Sequence, residues 1–211
     1  MLQHLKTSIL LVLVMAVITT LAFPMVITGI ARVAFPRQAA GSLLQRDGKT
    51  IGSDLIGQSF TSPRYFHPRP SAAGGGYDAA SSGGTNLGPT SAKLINGIHK
   101  QLPDGKDDPG NYEGIKDLAA AYRRENGLAA DAPVPADAVT RSASGLDPDI
   151  SPANAALQTP RVAKARGLSE DAVRQLVQQH TQGPQLRLLG EPRVNVLGLN
   201  LALDEADHPA R

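Results

Sequence analysis

The chain has 211 residues, of which 41% are apolar and only 4% aromatic, and it contains no cysteine. The lack of cysteine excludes a disulfide scaffold, a thiolate zinc site and a cysteine nucleophile. Residues 1–32 contain Lys6 and Arg32 and no acidic residue, so the formal net charge of +2 arises at the N-terminal end. Because basic and aromatic residues do not cluster as a nucleic-acid-binding surface requires, we expect no nucleic-acid partner.

The N-terminal segment is predicted to be a transmembrane helix. Residues 7–31 are uncharged and mostly apolar, and as a helix they would be about 37 Å long. A bilayer core requires about 20 apolar residues. We therefore predict a retained anchor at residues 1–35 and a soluble domain at 36–211. Pro24 should bend the late part of the anchor, and the residues expected to hold it in the bilayer are Leu10, Leu13, Val17 and Leu21.

Two questions about this segment stay open at the level of the residues. A cleaved signal peptide has an apolar core of about 7–15 residues. The sequence at Thr20–Ala22 could serve as its cleavage site, but the apolar run continues beyond it. The second question is orientation. Basic residues after the span, such as Arg32 and Arg37, weakly favour a cytoplasmic domain, whereas many signal anchors with a short N-terminal tail export theirs.

The remainder is predicted to form an α+β domain. A linker should lead into a first strand, and Leu43 and Leu44 precede a hairpin turn at Asp47–Gly48. Residues 51–60 should form a short strand or a turn. Further strands are predicted at 136–140 and within 185–204, where leucines alternate. Four helices are expected. The first two are at 90–102, with Thr90 or Ser91 as cap, and at 112–126. The third is at 151–166, with Ser151 as cap and a break or bend at Pro160, and the fourth runs from a cap at Ser169 to His180.

Residues 61–89 form a long segment rich in glycine and proline. It holds Tyr65, Phe66 and Tyr77, which are three of the eight aromatic residues in the chain. A loop of this length in a compact domain is usually functional or disordered, and disordered segments contain few aromatics. The composition therefore favours a loop that binds a partner.

No motif in the sequence predicts catalysis or a metal site. There is no GxxxxGK[ST] phosphate loop and no HExxH pair. The stretch Ser142-Ala143-Ser144-Gly145 lacks the first glycine of a GxSxG nucleophile elbow. We therefore expect a non-catalytic domain with no cofactor of its own. The alternative is a signal-anchored extracytoplasmic hydrolase or binding protein.

Several long strings resemble one known family. They are LIGQSF (55–60), YFHPRPSA (65–72), SSGGTNLGPTS (81–91), VPADAVTRSASGLDPDISPANAALQTPRVAKARG (134–167) and GEPRVNVLGLNLALD (190–204). Together with the N-terminal span they resemble KdpC, the small C subunits of the bacterial Kdp potassium-transporting P-type ATPases. The resemblance implies an accessory subunit in the inner membrane, without a catalytic centre, that serves high-affinity potassium uptake. Its implied partners are the channel-like KdpA, the ATP-hydrolysing KdpB and the small peptide KdpF.

The resemblance brings two accounts of how such a subunit works. In one it is a catalytic chaperone that raises the ATP affinity of KdpB and shares its ATP, which makes Ser142, Ser144 and Gly145 nucleotide candidates. In the other, which we favour, the domain lies on the extracytoplasmic side over the entrance of KdpA. The candidate partner contacts are then Tyr65, Phe66, His67, Arg69, Ser71, Tyr77 and Asn86.

Overall fold

The computed structural model describes residues 2–46 and 48–207. It begins with one apolar helical run, Leu2–Ala34, that is long enough to cross a membrane, and no residue of this run is buried within the protein. The run comprises α1 (Leu2–Val17), a π-helical segment (Ile18–Ala22) and α2 (Phe23–Ala34). The prediction of a single N-terminal span is confirmed for the part of the chain described. The predicted anchor residues all lie on this run with exposed side chains: Leu10, Leu13, Val17 and Leu21.

The π-helical segment lies directly before Pro24, which occupies the first turn of α2. Proline has no backbone N–H to donate to the preceding turn. In the π-helical geometry the N–H of Phe23 reaches the carbonyl of Ile18, five residues back, and such bulges absorb a local irregularity without ending the helix. The helix therefore continues through Pro24 to Ala34.

The chain divides into two compact units, one up to Ser53 and one from Asp54. In the first unit the apolar helices are followed by α3 (Pro36–Ala39) and by strands β1 (Leu43–Arg46) and β2 (Lys49–Ser53). The two strands pair antiparallel, which confirms the predicted hairpin. Asp47 of its turn lies outside the described residues.

The second unit mixes helices with one small antiparallel sheet, as the α+β prediction requires. The elements in chain order are α4 (Ala92–Asn96), α5 (Ile115–Glu125), α6 (Ala136–Val139), β3 (Asp149–Ile150), α7 (Pro152–Arg166), α8 (Glu170–Gln179), β4 (Thr181–Gln182), β5 (Arg193–Asn195) and α9 (Val196–Asp207). Strand β5 lies between β3 and β4 in the sheet.

Capping signals begin and end α7 and α8 close to where the sequence predicts, whereas the helix predicted over 90–102 ends at Asn96, before Gly97 with φ of 81°. The Ser151 hydroxyl accepts the N–H of the third residue of α7, and Ser169 does the same for α8. Gly167 ends α7 in the left-handed conformation with φ of 69°, which glycine adopts without strain. The predicted interruption at Pro160 is wrong, because α7 runs unbroken through it with the proline exposed.

The strand predicted at 136–140 is wrong, and the one predicted within 185–204 is confirmed over three residues only. Residues 136–139 form the helical turn α6, whose Asp137 carboxylate accepts the N–H and hydroxyl of Ser151 at 2.8 and 2.9 Å. Within 185–204 only Arg193–Asn195 is a strand of the sheet, and α9 follows at once. The Asn195 side chain accepts the N–H of Gly198 at 2.8 Å, which caps the first turn of α9.

The main core lies where α7, α8 and α9 meet the sheet, and it takes one side chain, Phe66, from the long loop. Its buried residues are Phe66, Ile150, Ala155, Val162, Ala163, Val173, Val177, Val194, Val196, Leu199 and Leu203. A smaller cluster joins α5 and α6 around Tyr122, Ala138 and Val139. The long loop is therefore part of the framework of this unit.

Candidate functional site

The first half of the long loop is held to the core by two buried amide side chains. Asn200 on α9 accepts the N–H of Phe66 at 2.8 Å and donates to its carbonyl at 3.0 Å. Gln158 on α7 accepts the N–H of His67 at 2.7 Å and donates to its carbonyl at 3.0 Å. Each amide satisfies both backbone groups of one residue, as a neighbouring strand would. The backbone at these two residues is thus fixed without belonging to a sheet.

Phe66 is wrong as a partner-contact candidate. Its exposed fraction is 0%, and its ring packs in the main core. A side chain so placed contributes the free energy of apolar burial to folding and is closed to any partner. The prediction of a binding loop rested on its three aromatic residues, and one of these, Phe66, packs in the core instead.

Tyr65 lies beside a buried ion-pair cluster. Its hydroxyl donates to Asp204 at 3.1 Å, and the guanidinium of Arg166 lies 4.9 Å from its ring centroid. Arg166 has a fully buried side chain and pairs with Asp204 at 2.9 Å and with Asp207. The exposed Arg64 also pairs with Asp207, at 2.7 Å. These contacts join the loop to the ends of α7 and α9.

His67 occupies a pocket of acceptors. Its Nδ1 lies 2.8 Å from the Glu125 carboxylate and its Nε2 lies 3.0 Å from the carbonyl of Ser62. Both ring nitrogens therefore face hydrogen-bond acceptors. The hydrogen bond from His67 lowers the pKa of Glu125, against the opposing effect of burial, and the positive charges of His67 and Arg161 lower it further. This pair ties the loop to the end of α5.

The second half of the loop packs against residues 140–147. Arg69 pairs with Asp147 at 2.8 Å, and the Ser71 hydroxyl donates to the carbonyl of Gly145 at 2.6 Å. The Tyr77 hydroxyl donates to the carbonyl of Arg69, and burial raises the pKa of this phenol. The structure therefore brings together two groups of residues that the sequence analysis treated separately, the loop candidates and the serine–glycine stretch.

The serine–glycine stretch supports the loop with its backbone. The N–H of Ser142 donates to the carbonyl of Pro70 at 3.0 Å. The N–H of Gly145 donates to the Ser142 hydroxyl at 3.1 Å, and that of Leu146 to the Ser144 hydroxyl at 3.1 Å. A phosphate cradle needs free N–H groups that converge on one point. At this stretch the N–H groups of Ser142, Gly145 and Leu146 are already used, and Ser142 is buried.

Two glycines allow the loop and the stretch to approach each other. A Cβ on Gly84 would lie 2.7 Å from the carbonyl oxygen of Ala143. Gly145 has φ of 71°, and a Cβ there would lie 2.6 Å from the side chain of Ala73. Any larger residue would push the two segments apart.

The exposed surface of this cluster consists of small and polar residues. We call it the loop face, and it comprises the exposed residues among 74–82, together with Asn86, Ala143 and Ser144. Asn86 is exposed with φ of 53°, a conformation that asparagine tolerates better than most residues. Among the residues described, no group of three or more His, Asp or Glu side chains is arranged to hold a metal ion.

The sequence analysis missed the two amides that hold the loop. Asn200 and Gln158 are each 1% exposed, in helices whose other buried residues are largely apolar or small. A polar residue in an apolar helical stripe is the signal that could have marked them, because a buried amide requires partners. Asp147, which pairs with Arg69, was also missed.

Comparison with known proteins decides the family. The family model described as "KdpC: K+-transporting ATPase, c chain" matches residues 5–205. The chain belongs to the KdpC family. The match includes most of the apolar helix and almost all of the second unit.

Curated relatives agree over nearly their whole length, and each is named as the KdpC subunit of a potassium-transporting ATPase. The protein of Koribacter versatilis is 49% identical over 202 residues, covering 96% of this chain and 94% of the relative. That of Mycobacterium tuberculosis (strain H37Rv) is 50% identical over 202 residues, covering 96% and 98%. That of Bradyrhizobium diazoefficiens is 50% identical over 218 residues, covering 98% of both.

Proposed function

We propose that this chain is the non-catalytic C subunit of an ATP-driven, high-affinity potassium uptake complex in the bacterial inner membrane. The observation that carries the proposal is the family match over residues 5–205, which includes the apolar helix. The helix is then a retained single-pass anchor. The partners are the channel-like KdpA, the ATP-hydrolysing KdpB and the small peptide KdpF.

The second unit lies on the extracytoplasmic side and contacts KdpA through the loop face. The support for this contact is the fixed conformation of the loop. Asn200 and Gln158 hold its first half, and Asp147 and the carbonyls of Ser144 and Gly145 hold its second half. A surface that is ordered before binding loses less conformational entropy when it docks. Asn86 and the residues near Ser81 are the most exposed contact candidates. The other candidates apart from Phe66 are partly exposed: Tyr65, His67, Arg69, Ser71 and Tyr77.

The subunit acts by assembly and stabilisation of the complex. The internal use of the Ser142 and Gly145 N–H groups argues against nucleotide binding at this stretch, because phosphate binding would require them to be free. Any increase that this chain causes in the ATP affinity of KdpB is then transmitted through contacts between subunits. The alternative of an anchored hydrolase or binding protein predicts activity in the absence of the other subunits.

The test places a bulky charge on the loop face. Ala80 and Ala120 are both exposed, the first on the loop face and the second on α5. We expect Ala80→Arg to reduce copurification with KdpA and the potassium-stimulated ATPase activity of the complex, and Ala120→Arg to leave both at the wild-type level. Equal copurification of the two variants would contradict docking by the loop face. Normal potassium uptake in cells that lack this chain would contradict the proposed function itself.

A further inference from the structure

The hairpin tip between β4 and β5 carries an apolar cluster that no part of the fold described here covers. Leu186 is 89% exposed, Leu188 is 82% exposed and Leu189 is 58% exposed. Apart from these leucines, the exposed large apolar residues described in the second unit are Leu55, Ile56 and Leu102. Three adjacent leucines at such exposure differ from single apolar residues on a surface, which need no explanation.

The backbone holds these leucines outward. The N–H groups of Gln185 and Leu189 each donate to the carbonyl of the other, at 2.8 and 2.9 Å. The N–H of Leu188 also donates to Gln185, at 3.0 Å. Leu186 and Arg187 both have positive φ, 54° and 60°, which bulky residues rarely adopt. The tip is thus a closed turn that presents its side chains to the exterior.

The composition of the tip fits a membrane interface. Residues 183–190 read GPQLRLLG, with one basic residue and no acidic residue. Interfacial membrane segments usually combine two kinds of residue. Leucines enter the boundary between headgroups and acyl chains, and basic residues such as arginine stay at the level of the headgroups. Arg187 also gives the tip the charge that complements an anionic lipid surface.

The chain itself keeps this tip within reach of lipid. Its N-terminal helix is long and apolar enough to span a bilayer, so the second unit is tethered to a membrane surface. A tether raises the effective concentration of a second contact, and even a weak contact then becomes populated. We propose that residues 185–189 insert into the headgroup region of the bilayer that holds the N-terminal helix, as a second, interfacial anchor.

The absence of cysteine allows a direct depth measurement on the full-length chain. Single-cysteine variants at Leu188, at Gln101 and at Val33 would carry an environment-sensitive fluorophore. Gln101 is an exposed polar control in the same unit, and Val33 is a reference near the end of the span, 86% exposed. The chain is placed in vesicles of phosphatidylcholine and phosphatidylglycerol with the same composition on both sides, so its orientation has no effect. Spin-labelled lipids then quench probes about 5–10 Å below the headgroups.

We expect the probe at Leu188 to be quenched to within about twofold of the probe at Val33, as interfacial depth requires, and the probe at Gln101 to be unaffected. Adding Leu186→Asn and Leu189→Ser should return the Leu188 probe to the level of Gln101. Arg187→Glu should reduce quenching in the anionic vesicles and leave it unchanged in vesicles of phosphatidylcholine alone.

Two results would overturn the proposal. One is a Leu188 probe that behaves like the Gln101 probe in vesicles. The other is a Leu188 probe that is shielded only after KdpA, KdpB and KdpF are added. That result would show that the tip contacts a protein subunit and not lipid. Because the first comparison, between the probes at Leu188 and Gln101, uses the chain alone, its outcome is independent of whether the loop face docks on KdpA.

Discussion

The contact between Asn200 and Phe66 gives the sharpest test of how the long loop is held. Asn200→Leu keeps a similar side-chain volume and removes both hydrogen bonds to the Phe66 backbone, at 2.8 and 3.0 Å. Both residues are essentially fully buried, so water cannot replace the lost partner. Each buried polar group left unpaired costs about 1–3 kcal/mol, and the two together should cost about 2–6 kcal/mol.

The assay separates loss of the loop from loss of the whole fold. Urea denaturation of the full chain in detergent measures the free energy of unfolding. Trypsin cleavage between Arg64 and Tyr65 reports the population in which the loop has opened, when opening is fast relative to cleavage. Each 1.4 kcal/mol of lost stability raises that population about tenfold, so we expect cleavage of Asn200→Leu to be at least about 25-fold faster than wild type.

The matched control is Asn96→Leu, at the exposed end of α4. It makes the same chemical change where water can hydrate the freed groups, and should shift stability by less than about 0.5 kcal/mol. If Asn200→Leu were as stable and as resistant to trypsin as this control, the two amide contacts would not hold the loop. The argument for a pre-ordered loop face would then fail.

The other predictions follow from Gly145, Arg166 and Glu125. Gly145→Ala should destabilise the chain by about 2–5 kcal/mol, from left-handed strain and overpacking against Ala73, and thermal denaturation would show it. Arg166→Met removes the buried guanidinium from Asp204 and from Asp207, which keeps its contact with Arg64, and should cost about 1.5–3 kcal/mol, against less than about 1 kcal/mol for Arg174→Met at an exposed pair; equal urea midpoints would refute the difference. Because folding lowers the pKa of Glu125, its contribution is present above the ordinary carboxyl value of about 4.3 and is lost as the pH falls through the lowered value. The urea midpoints of wild type and Glu125→Gln should therefore converge towards acidic pH, and a gap that is constant with pH would contradict this assignment.

Features coded by neighbouring residues could be predicted from the sequence. The apolar span depends only on composition and length, and the caps at Ser151 and Ser169 act within three residues. The strand predicted over the alternating leucines was wrong, because their spacing is compatible both with the two-residue repeat of a strand and with the 3.6-residue repeat of a helix. Leu199 and Leu203 are four residues apart and are both buried on one face of α9, which the alternation of leucines concealed.

The arrangement around the loop could not be predicted in the same way. Phe66 and Asn200 are 134 positions apart along the chain, and Arg69 and Asp147 are 78 apart. Such pairs depend on how whole helices pack, and nothing near either residue specifies its partner. For this reason Phe66 was predicted to contact a partner when it belongs to the core, and the serine–glycine stretch was not recognised as a support for the loop.

The most direct test of the central claim is the labelling of Ser81→Cys, an exposed position on the loop face, in intact cells with a membrane-impermeant maleimide. The chain has no other cysteine, so the signal comes from this site alone. The account predicts strong labelling without lysis in cells that lack KdpA, and clear protection when KdpA, KdpB and KdpF are present. Labelling only after lysis would place the domain in the cytoplasm, and equal labelling with and without the partners would show that the loop face is not the docking surface.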